Sequence, residues 1–343
     1  MFNNIRMVQT EPGIIVGPIS SVLGFVLDFI YNMLAFLAGP AALGWSIIVF
    51  TILMRFAMLP TAVKMQRSMK KMQQLKPQID AINAKYKDKP KDQQQQKALE
   101  IQKIYSENKV NPAASCLPML LQMPIFITLF NMFQRPYLYI SQLHYVYAQL
   151  ADKVMEIPGF VQVLIANPSI GLDRIPSNMP DLQLMYQPDL LRLFNAWTPA
   201  DWQLFVSQLP AQYHGAIQTL LYQKDAMEHF MGMSLIANAG LNWPAVLLPI
   251  LSAGTSFITA RMTMKSQPAA NGGSDAAANA MASQQKIMQY MMPIMMGFFT
   301  FISPGAVGLY WVVSNLFQIA QHWGLNKWFD KQDAQNSNII DVK

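Results

Sequence analysis

One arginine stands where a charge is least expected. Arg55 interrupts an apolar run: Trp45-Ser46-Ile47-Ile48-Val49-Phe50-Thr51-Ile52-Leu53-Met54 precede it and Phe56-Ala57-Met58-Leu59-Pro60 follow. A charged side chain at bilayer depth costs on the order of 3 kcal/mol on insertion scales, so it persists only beside a partner, beside water, or by reaching the membrane edge. Two readings of Arg55 stay open: it snorkels to an edge a short way along the helix, or it lines a polar cavity. No Asp or Glu lies in any clearly apolar run, so no ion pair within the membrane is on offer. Gln122, Thr128 and Asn131 stand in a second apolar run, and Ser314, Asn315 and Gln318 in the last. By spacing, Gln318 shares a helix face with both Ser314 and Asn315. Taken singly these are ordinary interhelical hydrogen-bonding groups. Together with an unpaired arginine they describe a hydrated groove.

No catalytic chemistry is legible beside this. The single cysteine, Cys116, cannot form an internal disulfide and reads as a small packing residue. The four histidines, His144, His214, His229 and His322, have no metal-ligand spacing. Gly-rich phosphate loops, nucleophile elbows and zinc-protease helices are missing from the sequence. The expectation is a protein that is not an enzyme and needs neither cofactor nor metal. Methionine is abundant, at 25 residues, with Met288, Met291, Met292, Met295 and Met296 crowding one run. Flexible, polarisable side chains suit a surface that meets many apolar partners, although most of these are read as packing.

The elements that must position these residues are membrane helices. Charged residues make up only 13% of the chain and hydrophobic ones 52%, against about 25% charged in ordinary globular proteins. A span needs about 20 mostly apolar residues. Candidates are Leu43–Val63, Ala113–Phe133, Trp243–Met262, Ile287–Ile302 and Ala306–Trp323, the last two joined by the tight turn Ser303-Pro304-Gly305. Residues 14–37 are ambiguous. Phe25, Phe29, Met33 and Phe36 recur at helical spacing while Ser20, Asp28 and Asn32 fall on other faces, which favours an amphipathic helix lying in the interface over a span. The fold expected is therefore all-α and polytopic. It has five transmembrane helices, a cytoplasmic helical hairpin and a preceding interfacial helix.

Charge sets the expected sidedness, because cytoplasmic loops are rich in Lys and Arg. Residues 64–110 hold twelve basic residues against five acidic ones, and residues 135–242 hold five against eight. The first segment is placed in the cytoplasm and the second outside. The chain divides accordingly: an outside N-terminus with its interfacial helix, 1–40; two spans with the basic hairpin 64–110, together 41–134; an outside helical cap, 135–242; three spans, 243–326; and a short cytoplasmic tail, 327–343.

Within the basic segment, Met65, Met69, Met72, Leu75, Ile79, Ile82 and Tyr86 form one apolar helix face, and Ala98, Ile101, Ile104 and Tyr105 continue it on a returning helix. Asp88-Lys89-Pro90 supplies the break, and the stripe is read as zipping the hairpin shut. Nothing in the sequence anchors this hairpin, so it is expected to move relative to the spans. Its basic outer face could meet anionic lipid or ribosomal RNA, with no nucleic acid sequence specified. In the outside segment, Thr198-Pro199-Ala200-Asp201 reads as a helix start, with Trp202, Phe205, Leu209 and Tyr213 on the face that follows.

Several motifs now add up. Gly44-Trp45-Ser46-Ile47-Ile48 through Arg55 to Pro60 resembles the first core span of the YidC/Oxa/Alb insertases. Val110-Asn111-Pro112 with Cys116-Leu117-Pro118-Met119-Leu120-Leu121-Gln122-Met123-Pro124 resembles the second. Gln284-Gln285-Lys286-Ile287-Met288 with Met292-Pro293, and Pro304-Gly305 with Leu309-Tyr310-Trp311-Val312-Val313-Ser314-Asn315, resemble the last two. The resemblance implies a bacterial plasma-membrane insertase or chaperone, with its N-terminus outside and its C-terminus in the cytoplasm. It would move client segments into the bilayer without hydrolysing nucleotide, through a groove that holds a positive charge. It implies a client-binding role for Arg55, Thr51, Gln122 and Trp311, and the polar pair Asn315 and Gln318 is placed in the same groove. Implied partners are nascent membrane proteins, the lipid bilayer, and a ribosome or Sec-type translocon. The competing reading is a small-solute transporter or channel, which five unequal spans with one arginine fit poorly. Relatives with a tyrosine in place of Trp311, and the length of segment 135–242, mark departures from the family pattern.

Overall fold

A computed structural model describes residues 16–86, 93–110, 117–171, 187–265 and 287–340. The Asn111-Pro112 and Gln284–Lys286 motifs, Cys116 and the turn at Pro90 lie outside these. The described residues fall into two compact units. One is drawn from Met1–Phe50, Ile125–Ala245 and Ile302–Leu309, the other from Thr51–Pro124, Val246–Phe301 and Tyr310–Lys343.

In the first unit, helix α1 (Val16–Ala38) buries Leu23, Leu27, Ile30 and Tyr31 and exposes Phe25, Phe29, Met33 and Phe36. It runs through a single 3-10 turn, Gly39–Ala41, into α2 (Ala42–Ala57). Val16–Ala57 is the one helical stretch among the described residues that is long and apolar enough to cross a membrane, and Gln289–Ile302 is a shorter apolar helix. The polar residues that break the apolar pattern of α1 have a specific use. Asp28 Oδ1 accepts hydrogen bonds from both the backbone N–H and the hydroxyl of Ser141, each at 2.8 Å. Ser141 opens α7 (Ser141–Met155), so Asp28 places an anion on the orphan amides and positive dipole end of that helix. Asn32 adds a hydrogen bond accepted from Gln142, at 2.9 Å.

Behind α7 stand α8 (Phe160–Ala166), α9 (Gln187–Ala196), α10 (Pro199–Ser207) and α11 (Ala211–Glu228). Their shared core is aromatic, with Phe194, Trp197, Trp202 and Phe205 packed at ring separations from 4.5 to 6.3 Å. The helix start at Thr198 is a full capping box, in which the Thr198 hydroxyl accepts from Asp201 N–H and the Asp201 carboxylate accepts from Thr198 N–H. The fold is all-α as expected, and after α11 it carries one small addition. Strands β1 (His229–Phe230) and β2 (Met233–Ser234) pair antiparallel, Phe230 against Met233. The two turn residues, Met231 (φ 51°) and Gly232 (φ 78°), both have the positive φ that tight hairpins require. Phe230 sits in a notch at Gly44, where any side chain would collide with its ring, and packs edge-on against Trp45. The chain then braids with the turn before the last helix: Ala306 N–H donates to Leu235 O at 2.8 Å and Ala239 N–H to Ser303 O at 3.1 Å.

In the second unit, the expected first span does not stop at Pro60. α3 (Leu59–Gln74) follows α2 after the single residue Met58, whose backbone stays helical: Met58 N–H donates to Met54 O and Ala62 N–H to Met58 O, each at 3.1 Å, while Pro60 leaves out the bond its missing N–H would make. The helix expected across Met65–Tyr86 comprises α3 and α4 (Lys76–Lys85), with helical backbone kept through Leu75: Leu75 N–H donates to Lys71 O and Ile79 N–H to Leu75 O, each at 3.1 Å. The apolar stripe runs through both junctions: Met72, Leu75, Ile79 and Val110 are buried together, with Ile101, Ile104 and Tyr105 of α5 (Gln94–Glu107) packed on them. The remaining helices are α6 (Leu117–Gln134), α12 (Leu247–Lys265), α13 (Met292–Ile302, entered through the π-turn Ile287–Met291) and α14 (Gly305–Ile340). Gly297 lets α13 come close to Ala253 of α12, and Thr300 donates to Ser252 beside that contact, at 3.0 Å. α14 continues well past Trp323, where the last span was expected to give way to the tail.

Candidate functional site

Arg55 lies in the last turn of α2, just before Met58 leads into α3. Its side chain turns to α14. Nε donates to Ser314 Oγ at 2.8 Å, and Nη2 donates to the same oxygen. A hydroxyl carries no charge, so this partner orients the guanidinium without neutralising it. Arginine has five N–H donors, and three remain without a partner among the described residues.

Those donors have a place to act. Arg55, Gln122 and Gln318 line one cavity of about 90 Å³, with Gln66 and Gln321 also on its wall. Each water in the liquid takes roughly 30 Å³, so there is room for about three. Met58, Met65 and Met69 line the same cavity. One cation, several amides and an apolar methionine side are thus presented to a single small space. Gln122 is fixed by donating to Tyr310 Oη at 3.2 Å.

The other expected site residues are placed differently. Asn315 spends its amide on α12, donating to Thr255 Oγ1 at 3.1 Å and Ser256 Oγ at 2.8 Å, the bond that polar residues in apolar helices commonly make. Thr51 is wholly buried. Trp311 is half-buried, edge-on to Phe299 at 6.1 Å. The cavity therefore collects Arg55, Gln122 and Gln318, while Thr51, Trp311 and Asn315 are not among its lining residues. Tyr310 was missed as a site residue, and Ser314 was grouped with the polar residues of the groove but not named as the arginine's partner. Ser314 shares a helix face with Gln318, which was the available signal; its pairing with Arg55, far away in sequence, was not readable from spacing.

The start of the basic segment, α3, makes ties to α14 that its sequence did not announce. Gln66 of α3 donates to His322 O at 3.0 Å and to Asn326 Oδ1 at 2.8 Å. Lys70 pairs with Asp330 at 2.9 Å, and both Arg67 and Lys70 stand 5.9 Å from the Phe329 ring. α3 is tied to α14 through side chains that look like ordinary surface polarity when read singly. α4 and α5 are held by their shared apolar stripe and by Lys85, which pairs with Glu100 at 2.7 Å.

Segment 135–242 contains a buried ion pair. Lys224 Nζ lies 2.7 Å from Glu228 Oε2, with both side chains nearly inaccessible, and Tyr147 of α7 donates to Glu228 Oε1 at 2.7 Å. Burial lifts the Glu228 carboxyl above the usual carboxylate range against the pull of Lys224 and Tyr147. Burial, with the neighbouring Glu228 carboxylate, raises the Tyr147 phenol well above its own ordinary value. The trio clasps α7 to α11.

The family described as 60Kd inner membrane protein matches residues 34–332. A Leptospira interrogans protein named membrane protein insertase YidC is 29% identical over 296 residues, 86% of this chain and 33% of that protein. A protein of the same name from Oceanobacillus iheyensis is 25% identical over 284 residues, 83% of this chain and 74% of its own length. A third, from Chlamydia trachomatis, is 26% identical over 328 residues, 95% of this chain and 30% of that protein. The chain thus spans about a third of the Leptospira and Chlamydia relatives and about three quarters of the Oceanobacillus one.

Proposed function

The chain belongs to the 60Kd inner membrane protein family, that of the YidC/Oxa/Alb insertases, and we propose that it moves client transmembrane segments into the bacterial plasma membrane. Its relatives over most of the described length are named insertases. The observation that carries the mechanism is the placement of Arg55: oriented by a neutral hydroxyl and lining a cavity with Gln122 and Gln318. A snorkelling arginine would have no use for that arrangement.

The physical task is to take a polar tail through hydrocarbon. A hydrated, amide-lined cavity shortens the dry distance, and an unneutralised cation there attracts acidic tails more strongly than it would in bulk water. The client's apolar segment then partitions into lipid, which supplies the driving force without nucleotide hydrolysis. Trp311, half-buried, is kept as a position along the client's route beyond the cavity, while Thr51 and Asn315 are buried here and act behind that route by packing and by bonding α12. Nascent membrane proteins are the proposed clients, with a ribosome or Sec-type translocon delivering them. Segment 64–110 and the C-terminus are assigned to the cytoplasm, and the N-terminus and segment 135–242 to the outside, on charge asymmetry.

A photo-reactive amino acid at Gln318 tests the groove during reconstituted insertion of a single-span client. The expected result is a crosslink to the client's translocated tail and none from the same probe at Gln218, an exposed position on α11. Equal crosslinking from both would remove the groove. Cysteine labelling from the two sides of the membrane, at Ser177 and at Gln94, tests the topology, and reversed sidedness would overturn it.

A further inference from the structure

The β1–β2 turn and the chain that follows carry three of the most exposed large apolar side chains in the molecule: Met231 at 75%, Leu241 at 79% and Trp243 at 77%. The two ends of this stretch come together in space, since a Cβ on Gly232, next to Met231, would stand 3.7 Å from the ring of Pro244, next to Trp243. Around them the exposed residues His229, Asn238 and Asn242 make a polar rim. An apolar patch with a polar rim on an otherwise well-packed element marks an interaction surface.

We propose that this tip docks on the outer leaflet of the bilayer at headgroup depth. Two observations point to lipid as the partner, and a third says what the docking must rest on. The patch runs directly into the stretch Trp243–Met262 read from the sequence as a membrane span, within which α12 starts at Leu247, so on that reading the bilayer is the surface its own chain is about to enter. Trp and Met side chains beside a polar rim match the amphipathic boundary between headgroups and acyl chains, where Trp is enriched. No lysine or arginine lies between His229 and Val246, so attraction to anionic headgroups plays no part and burial of apolar surface must suffice.

The tip is also rigid enough to transmit this docking. Phe230 is locked at Gly44 and Trp45, and Leu235 and Ala239 are wholly buried and braided to residues 303–306. Met231 projects from a fixed base. Through that base the docked tip holds α11, and with it the helical segment 141–228, at a set height on the membrane. This inference uses the proposed sidedness but not the proposed insertase groove.

The test is site-directed spin labelling of the full chain in phosphatidylcholine nanodiscs, with Cys116 replaced by Ser. Labels go at Met231, at Gln218 as the aqueous reference, and at Ile250 on α12 as the lipid reference. Collision with oxygen should exceed collision with a water-soluble nickel chelate severalfold at Met231 and Ile250, and the ratio should reverse at Gln218. Adding phosphatidylglycerol or salt should leave the Met231 ratio unchanged. A Met231 label as water-exposed as the one at Gln218 would overturn the proposal. So would depth that appears only with anionic lipid, or dipolar broadening that shows a second copy of the chain on the patch. Loss of the lipid signal at Ile250 as well would instead point to a failure of membrane embedding, which separates the two ideas.

Discussion

Removing the Glu228 carboxylate should loosen segment 141–228 more than any other single polar change in it. At 2.7 Å and an effective dielectric near 20, the Lys224–Glu228 attraction is about 6 kcal/mol, most of it offset by the desolvation of both groups. The pair's net contribution is therefore small, but breaking it is not. Glu228→Ala leaves a buried ammonium and an unpartnered Tyr147 hydroxyl, a change that costs about 3–5 kcal/mol. Asp225 remains 3.6 Å from the Lys224 ammonium and holds the loss toward the lower end. About 3 kcal/mol corresponds to roughly two decades in the local opening equilibrium. Hydrogen exchange of α7 and α11 amides in nanodiscs reads this directly. The double replacement Lys224→Met with Glu228→Leu should recover most of the protection, because an apolar pair of similar volume has no charge to strand. The pH dependence has a definite sign. The folded Glu228 carboxyl titrates above its unfolded value, so between the two the folded state binds more protons and its stability falls as pH rises. Mild acidification through that window should strengthen protection in the natural protein and do nothing extra in Glu228→Ala. Unchanged exchange in Glu228→Ala, or a double variant as loose as the single, would refute the reasoning.

Asp28→Ala should cost about 1 kcal/mol, the usual value of a lost N-terminal cap, and the first turn of α7 should exchange faster while α10 is unaffected. Gly44→Ala should destabilise by about 1–3 kcal/mol through overpacking against Phe230, read as a lower midpoint in thermal unfolding in detergent. The companion change Phe230→Ala on that background should restore part of it if the collision is the cause.

Local signals in the sequence carried the parts of this fold that depend on near neighbours. The Thr198–Asp201 capping box, the turn at Ser303–Gly305 and the apolar stripe from Met69 to Tyr86 all rest on contacts a few residues apart or on one helical period, and all three stand in the structure. At Met58 and Leu75, just ahead of Pro60 and Pro77, the helical backbone carries on as the periodicity indicated. What could not be read were pairings over long distances. Lys224 and Glu228 look like any exposed pair one turn apart until Tyr147 and the burial around it are known. Asp28 reads as a flaw in an apolar helix until Ser141 arrives at its carboxylate. Arg55 was conspicuous by cost alone, yet its hydroxyl partner lies 259 residues away. Asn315, grouped with Gln318 by face, turned out to be engaged with α12, because one helix face is wide enough to serve two neighbours.

The central claim is that Arg55 acts by its charge on the client's tail. The direct measurement is reconstituted insertion of two clients identical except that one carries acidic residues in its short translocated tail and the other neutral ones. Arg55→Lys should keep much of the insertion of both. Arg55→Ala should impair the acidic-tailed client most and the neutral one less, since the neutral tail's entry rests on hydration and apolar partitioning. Equal loss for both clients would contradict the account by making Arg55 a structural residue bound to Ser314, and no loss for either would return it to a side chain that merely reaches for the membrane edge.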